Sequence, residues 1–464
     1  MESRRLHCCA RSPAISAAPA VLHTAFQLDW LPRDLWETSP KIRVSTLPCA
    51  HVIRRASLTA VLAGALLASA CSGTTPSPVV GTAVTRALKD DRHVAARIVA
   101  ADNAFGLALF NALNQSATSN VAISPMSIAL ALQMVYNGAG GSTQQGMSQS
   151  LRLQNLGALA VDQYNAALQA TLANPDPKAQ LRIANSLWMH LDRNPVLPSF
   201  VSTNDTYYAA KIGDLGGAPD NVNAWVAGET HGLIKTILPP KNYSHVVAVL
   251  ANAIYFSGRW TSTFIPSLTR AAPFTLSDGT EVSCQMMHKT STFRYFSGSN
   301  FQAAELPYGQ TRRLRMLIIL PAVGVNLKSF VANMTSEELS EWIADLKPAH
   351  VEIGLPRFTA TYGGSLANAL TSLGMGAAFD ANIADFTGLA SRTRVYISDI
   401  EHETVVKVDE SGTVAAGATA AELVLQSMPI GMIMNRPFVY AIVDGKTGAL
   451  LFIGTLIDPI QSSS

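Results

Sequence analysis

From residue 93 onward apolar residues recur along the chain with two different periods. Ala95, Ala96, Ile98 and Val99, then Phe105, Leu107, Leu109, Phe110 and Leu113, repeat at helical spacing up to Asn114. Ser124-Pro125-Met126-Ser127 predicts the start of a second helix. A serine oxygen at the N-cap can accept from a free amide of the first turn, and proline there lacks an N–H that would go unpaired anyway. The apolar stripe then runs to Tyr136 and stops at Asn137-Gly138. Later the pattern changes to short runs rich in Val, Ile and Leu, bounded by Gly, Pro and Asp: 247–256, 315–320, 350–355, 405–408, 438–443 and 450–457. Helices first and strands mostly later, without regular alternation, predict an α+β fold. No internal repeat and no break in composition divides residues 93–460, which read as one domain.

Composition narrows the function classes. The chain has 464 residues, 48% of them hydrophobic and 14% charged, with a formal net charge of +2. That is enough apolar material for a large core and too little basic charge for a nucleic-acid partner, whose binding rests on neutralising phosphates. Arg54-Arg55, the small apolar run 56–70 and Cys71-Ser72-Gly73 have the layout of an export signal over residues 52–71. Leu67-Ala68-Ser69-Ala70-Cys71 resembles a bacterial lipoprotein signal with Cys71 as the lipidated residue. Ala68 stands where that motif usually carries a larger apolar residue, so a plain secretory signal cut near Ala70 is the alternative. Residues 1–51 precede this signal and read as an over-extended start or a removed segment, and 72–92 as a linker. The protein is thus expected to be exported, either anchored to a bacterial envelope by lipid or released to the periplasm or medium. Of the five cysteines only Cys284 lies in the body, which leaves no internal disulfide and no thiolate metal cluster there.

Each enzyme motif fails on its surroundings. Lys446-Thr447-Gly448 matches the K-T-G of serine β-lactamases, but no S-x-x-K accompanies it, and a hairpin turn is the better reading. His402-Glu403 opens like H-E-x-x-H, yet Val406 occupies the place of the second histidine. Gly374-Met375-Gly376 lacks a third glycine and a preceding strand, and reads as a helix-ending turn. Neither a catalytic centre nor a cofactor or metal site emerges.

Widely spaced strings converge instead on one family. Asn120 to Pro125 with Gly138 and Thr143, Asn252 to Trp260, Glu305-Leu306-Pro307-Tyr308, Leu355-Pro356-Arg357-Phe358, Asn435-Arg436-Pro437-Phe438 and Leu451-Phe452-Ile453-Gly454 resemble the signature segments of serpins, in family order. The resemblance covers residues 93–459. It implies three β-sheets surrounded by about eight to nine helices, a monomer without cofactor, and an exposed reactive-centre loop. In the family that loop is bait: a protease cuts it, forms an acyl-enzyme, and is trapped when the freed loop enters the main sheet as a new strand.

ESGTVAAGATAAELVLQS, residues 410–427, falls where serpins carry this loop. Glu410, Gly412, Thr413, Ala415, Ala416, Gly417 and Ala418 match the hinge. The stretch has no proline, which a central strand would not admit. Along a strand Thr413, Ala415, Gly417, Thr419 and Ala421 would share one face, and all are small. Thr413 is expected near solvent at the loop base before cleavage. The family habit of cutting about fourteen residues beyond the hinge glycine points to Gln426-Ser427, or to Leu425-Gln426 if the register slips by one. Leu423, Val424 and Leu425 would then lie along the protease cleft. Ser124, Asn252 and His402 match the family's polar cluster beneath the main sheet, and Trp260 the aromatic where the loop enters. The expected function is irreversible inhibition of a serine or cysteine protease through a covalent complex. The alternative is a non-inhibitory serpin acting as a binding or carrier module.

Overall fold

A computed structural model describes residues 81–391, 395–413 and 428–461. Residues 1–80, with the expected start segment, the expected export signal and Cys71, and loop residues 414–427 lie outside the described residues. These include Ala415, Ala416, Gly417, Ala418, Leu423, Val424, Leu425, Gln426 and Ser427.

The first helix, α1 (Gly81–Ser116), begins inside the stretch that the sequence reads as a linker. Ala, Leu, Lys and Arg in 81–92 are good helix formers but supply no apolar stripe, so periodicity does not reveal this turn-by-turn extension. Then follow α2 (Pro125–Tyr136), α3 (Gly141–Ser150), α4 (Ala158–Leu172), α5 (Pro198–Tyr208), α6 (Asp220–Glu229), α7 (Leu327–Ala332), α8 (Ser336–Asp345), α9 (Ala367–Leu370) and α10 (Gly376–Phe379). The last two are halves of one helix kinked at Gly374, whose φ of 109° only glycine adopts without strain. Nine helices thus clothe the described residues, within the expected number.

The strands are β1 (Val121–Ile123), β2 (Ala179–Met189), β3 (Lys211–Asp214), β4 (Ala248–Arg259), β5 (Arg270–Thr275), β6 (Glu281–Ser297), β7 (Phe301–Pro307) and β8 (Leu314–Pro321). They continue with β9 (Lys347–Pro356), β10 (Phe358–Ser365), β11 (Asp399–Val408), β12 (Gly412–Thr413), β13 (Ile430–Ile433), β14 (Phe438–Asp444) and β15 (Leu450–Leu456). All six strand runs read from the sequence are present. One sheet has the order β10-β11-β4-β2-β3, with β12 added on β4. A second ladder runs β1-β15-β14-β8-β7-β6-β9-β13, with β5 on β6. The 17-residue β6 joins two sheets in that ladder: its middle pairs with β9, and its last four residues pair with β7.

Eleven of the twelve residues of α2 are buried, which places this helix at the centre of the molecule. On its face the main sheet buries Leu250, Ile254 and Phe256, each worth roughly 1.5–3 kcal/mol in transfer from water. On the opposite face Ala184, Trp188, Val249, Ala251 and Ala253 pack under Val222 and Val226 of α6. The β4–β11 pair is therefore covered on both sides. Lys446-Thr447-Gly448 forms the β14–β15 hairpin turn, with the Asp444 carboxylate accepting from the Lys446 and Thr447 amides and Gly448 at φ 78°.

Candidate functional site

β4 and β11 run parallel, in register from Val249 with Asp399 to Tyr255 with Val405. Parallel neighbours are unusual in a sheet whose other ladders are mostly antiparallel, and this pair is called the seam. Asn185 of β2, Asn252 of β4 and His402 of β11 sit side by side across that seam. All three are buried, so each must find its hydrogen bonds in the protein.

The network is directional. Asn252 Nδ2 donates to the Ser127 carbonyl at 3.0 Å, to Ser127 Oγ at 2.7 Å and to Asn185 Oδ1. A backbone carbonyl can only accept, so Asn252 turns its Oδ1 toward His402, 2.6 Å from Nδ1. Nδ1 therefore carries the proton and donates. Nε2 is left to accept, from the Ser124 amide at 3.3 Å and the Thr404 hydroxyl at 2.6 Å. A second ring proton would point at an N–H. Burial, against a smaller opposing effect of Asn252, pushes the imidazole down to about pKa 3. Ser124 closes the group from below: its Oγ donates to the Leu451 carbonyl at 2.6 Å and accepts from the Ser127 amide at 3.3 Å, as the N-cap of α2. Ser124, Asn252 and His402 are thus brought together. Asn185, Ser127 and Thr404 complete the group and were missed, since nothing in a lone Asn, Ser or Thr marks it before the strands are aligned.

Above Tyr255 and Val405 the seam changes partner. β4 continues to Arg259, where Gly412 and Thr413 pair with Arg259 and Gly258 in antiparallel fashion. At the loop base the backbone of Thr413 already lies in the sheet. Gly412 has φ 137°, and a Cβ there would stand 2.1 Å from the Gly258 carbonyl oxygen, so only glycine fits this approach. Trp260 holds the turn that delivers it. Its amide donates to Ser411 O at 2.9 Å and its indole to Asp409 O at 2.9 Å. Its ring stacks on Tyr308 at 4.4 Å.

Glu410 faces Arg357, whose Nε lies 2.8 Å from both carboxylate oxygens, and also accepts from Thr269 Oγ1. Burial alone would raise this carboxyl; the Arg357 and Thr269 hydrogen bonds outweigh it and hold the group below the usual range. Arg357 stood in one of the family strings without an assigned role. As for metals, the ligand atoms of His190, Asp192 and Asp214 lie within 4.8 Å of one another. Asp192 is open to solvent beside Arg193, and the group sits at the far ends of β2 and β3, away from this seam.

Comparison with known proteins agrees with this arrangement. The family model described as Serpin (serine protease inhibitor) matches residues 100–459. Glia-derived nexin of Mus musculus is 30% identical over 369 residues, 76% of this chain and 91% of its own. Serpin B6 of Pongo abelii is 32% identical over 373 residues, 77% of this chain and 98% of its own. Among solved structures, the thermophilic serpin tengpin in its native state superposes with a TM-score of 0.72 at 28% identity, covering 78% of this chain and 94% of that one. Human thyroxine-binding globulin gives 0.73 at 25%, covering 79% and 100%. With a seam between parallel strands, a polar cluster beneath it, a hinge at its upper end and relatives matched over nine-tenths of their length, the chain belongs to the serpin family.

Proposed function

We propose that the chain is a suicide-substrate inhibitor of serine proteases, with cysteine proteases as the second class. The observation that carries this reading is β12. Gly412 and Thr413 occupy the upper end of the seam, and the sequence that follows them, 414–421, is free of proline and of any bulky or charged side chain. Continuing the register downward would set residue 415 opposite Phe256, 417 opposite Ile254, 419 opposite Asn252 and 421 opposite Leu250. Small side chains are what that central position demands, because both faces are already packed.

In the reaction the protease serine Oγ attacks the Gln426 carbonyl carbon. The bond to Ser427 breaks, its nitrogen leaves with a proton, and an ester joins the protease to Gln426. Insertion of the freed strand competes with hydrolysis of that ester. At position 419 the incoming strand takes the place His402 now holds beside Asn252, so the polar cluster is the point where the seam resists and then yields.

A carrier role is the second reading, supported by the likeness to thyroxine-binding globulin. The deciding experiment is incubation with a panel of proteases followed by a denaturing gel. A covalent band at the summed mass is expected with a cognate protease. If every protease that cuts within 425–428 leaves only a nicked chain and stays active, the inhibitor reading is wrong.

A further inference from the structure

His402 has acidic neighbours on both sides in the chain, Glu401 and Glu403, which turn to the opposite face of the sheet. There they lie beside Ala251 and Ala253 of β4, on the side covered by α6 and by the loop that carries Tyr243. Glu401 is buried, with 6% exposure, and Glu403 is half-buried, its carboxylate standing over the backbone of Gly363 on β10.

Their surroundings offer little to a negative charge. β4 presents Ala251 and Ala253, and α6 presents Val222 and Val226. β10 contributes Gly363 opposite Glu403 and Ser365 opposite Glu401, while Tyr362 lies on the His402 face. Tyr243 is itself pushed up to about pKa 12, by burial first and then by Glu401 and Asp399. Among the described residues the exposed Lys241 is what favours an ionised Glu401. On their own strand Asp399 adds repulsion. Its Oδ1 accepts from Ser365 Oγ and from the Ile400 amide. Burial, then Asp399, pushes Glu401 up to about 7. Burial, then Glu401, pushes Glu403 up to about 7.

We propose that Glu401 and Glu403 form a proton-operated latch on the β4–β11 seam, firm while the pair carries protons and loosened when both are ionised. Parting β11 from β4 removes Ala251 and Ala253 from beside the two carboxyls and lets water reach them, so ionisation favours the parted sheet. The hold is complete below the ordinary carboxyl range and is lost as pH rises from there to about 7. His402, on the other face, works in the opposite sense, since acid favours its release into water. The three consecutive residues Glu401-His402-Glu403 thus give the seam one brake that fails in base and another that fails in acid.

The inference rests on the sheet-opening reading above, and its test uses uncut protein without any protease, so a failure to trap proteases does not touch it. Amide hydrogen exchange of β4 and β11 is measured from pH 5.5 to 7 as protection factors, for the parent and for the double variant Glu401→Gln/Glu403→Gln. Glutamine keeps the shape of the protonated acid. Because His402 contributes equally to both proteins, the readout is the ratio of their opening constants, parent over variant. A carboxyl held near 7 in the closed seam and near its ordinary value when hydrated makes this ratio rise roughly tenfold or more across the range. A ratio that stays constant overturns the proposal. Should the double variant not fold, Glu401→Gln and Glu403→Gln singly are read by the same ratio, each with a smaller rise expected and a flat ratio again decisive against it.

Discussion

At His402 a single proton has a fixed place, on Nδ1, because Asn252 is oriented by the Ser127 carbonyl and the Ser124 amide occupies Nε2. The folded ring has a pKa of about 3 against an ordinary 6.5 in the unfolded chain. Between these values the unfolded state binds the extra proton and the folded state does not. Stability from this residue is therefore complete above pH 6.5 and is lost as pH falls toward 3, by up to about 1.4 kcal/mol per unit. Denaturant midpoints of the uncut protein at pH 7, 6, 5 and 4 check this. In the Glu401→Gln/Glu403→Gln background, free of the opposing carboxyls, the decline should be steeper, and replacing His402 by Asn there should flatten it. A slope unchanged by that last substitution would show that the ring titrates elsewhere. None of this was legible in His402 alone. The sequence placed it in the cluster through resemblance, but the tautomer depends on which group of Asn252 faces it, and that is set by a carbonyl 125 residues away in the chain.

The elements were more legible than their meeting points. Ser124-Pro125 announced the start of α2 because the cap is a local device, readable from one residue and its neighbours. What the sequence could not show is the second task of that serine. β14 and β15 shift register between Ile442 and Val443, so Leu451 stands opposite no residue, and its carbonyl is met by Ser124 Oγ. Ser124→Ala is expected to remove the cap of α2 and strand a buried carbonyl together, a loss of about 1–3 kcal/mol by urea unfolding. Ser124→Thr, which keeps a hydroxyl, should recover most of it. If alanine costs under about 0.5 kcal/mol, the bulge carbonyl has another partner. The N-terminal turns of α1 escaped for a different reason: helix formers without an apolar stripe look like a linker. The backbone pairing of Thr413 was not legible because strand edges depend on a partner, Gly258, that only the folded chain supplies.

For the whole molecule, the proposed function has the loop enter a seam that β4 and β11 close by pairing directly in the uncut state. Inserting some dozen residues would add on the order of ten hydrogen bonds at about 1 kcal/mol net each, less the cost of ordering the backbone. Nicking within 425–428 should therefore raise the melting temperature by roughly 10 °C or more, read by calorimetry on uncut and nicked protein. Ala415→Arg should leave the uncut melting point unchanged and abolish most of the gain, since a guanidinium opposite Phe256 has no partner in the core. A nicked variant that gains as much as the parent would mean that residue 415 does not turn inward. The two pairs already made, Gly412 with Arg259 and Thr413 with Gly258, bear on the timing of that event. On the proposed mechanism nucleation would be over before a protease arrives, and insertion would advance as a zipper, one residue at a time, from a fixed end. A search for the sheet would slow as the loop lengthens, whereas a zipper starts at the same speed whatever its length. Extra residues placed near the cut site should then leave the onset of insertion untouched and change only where the strand, and anything attached to it, comes to rest.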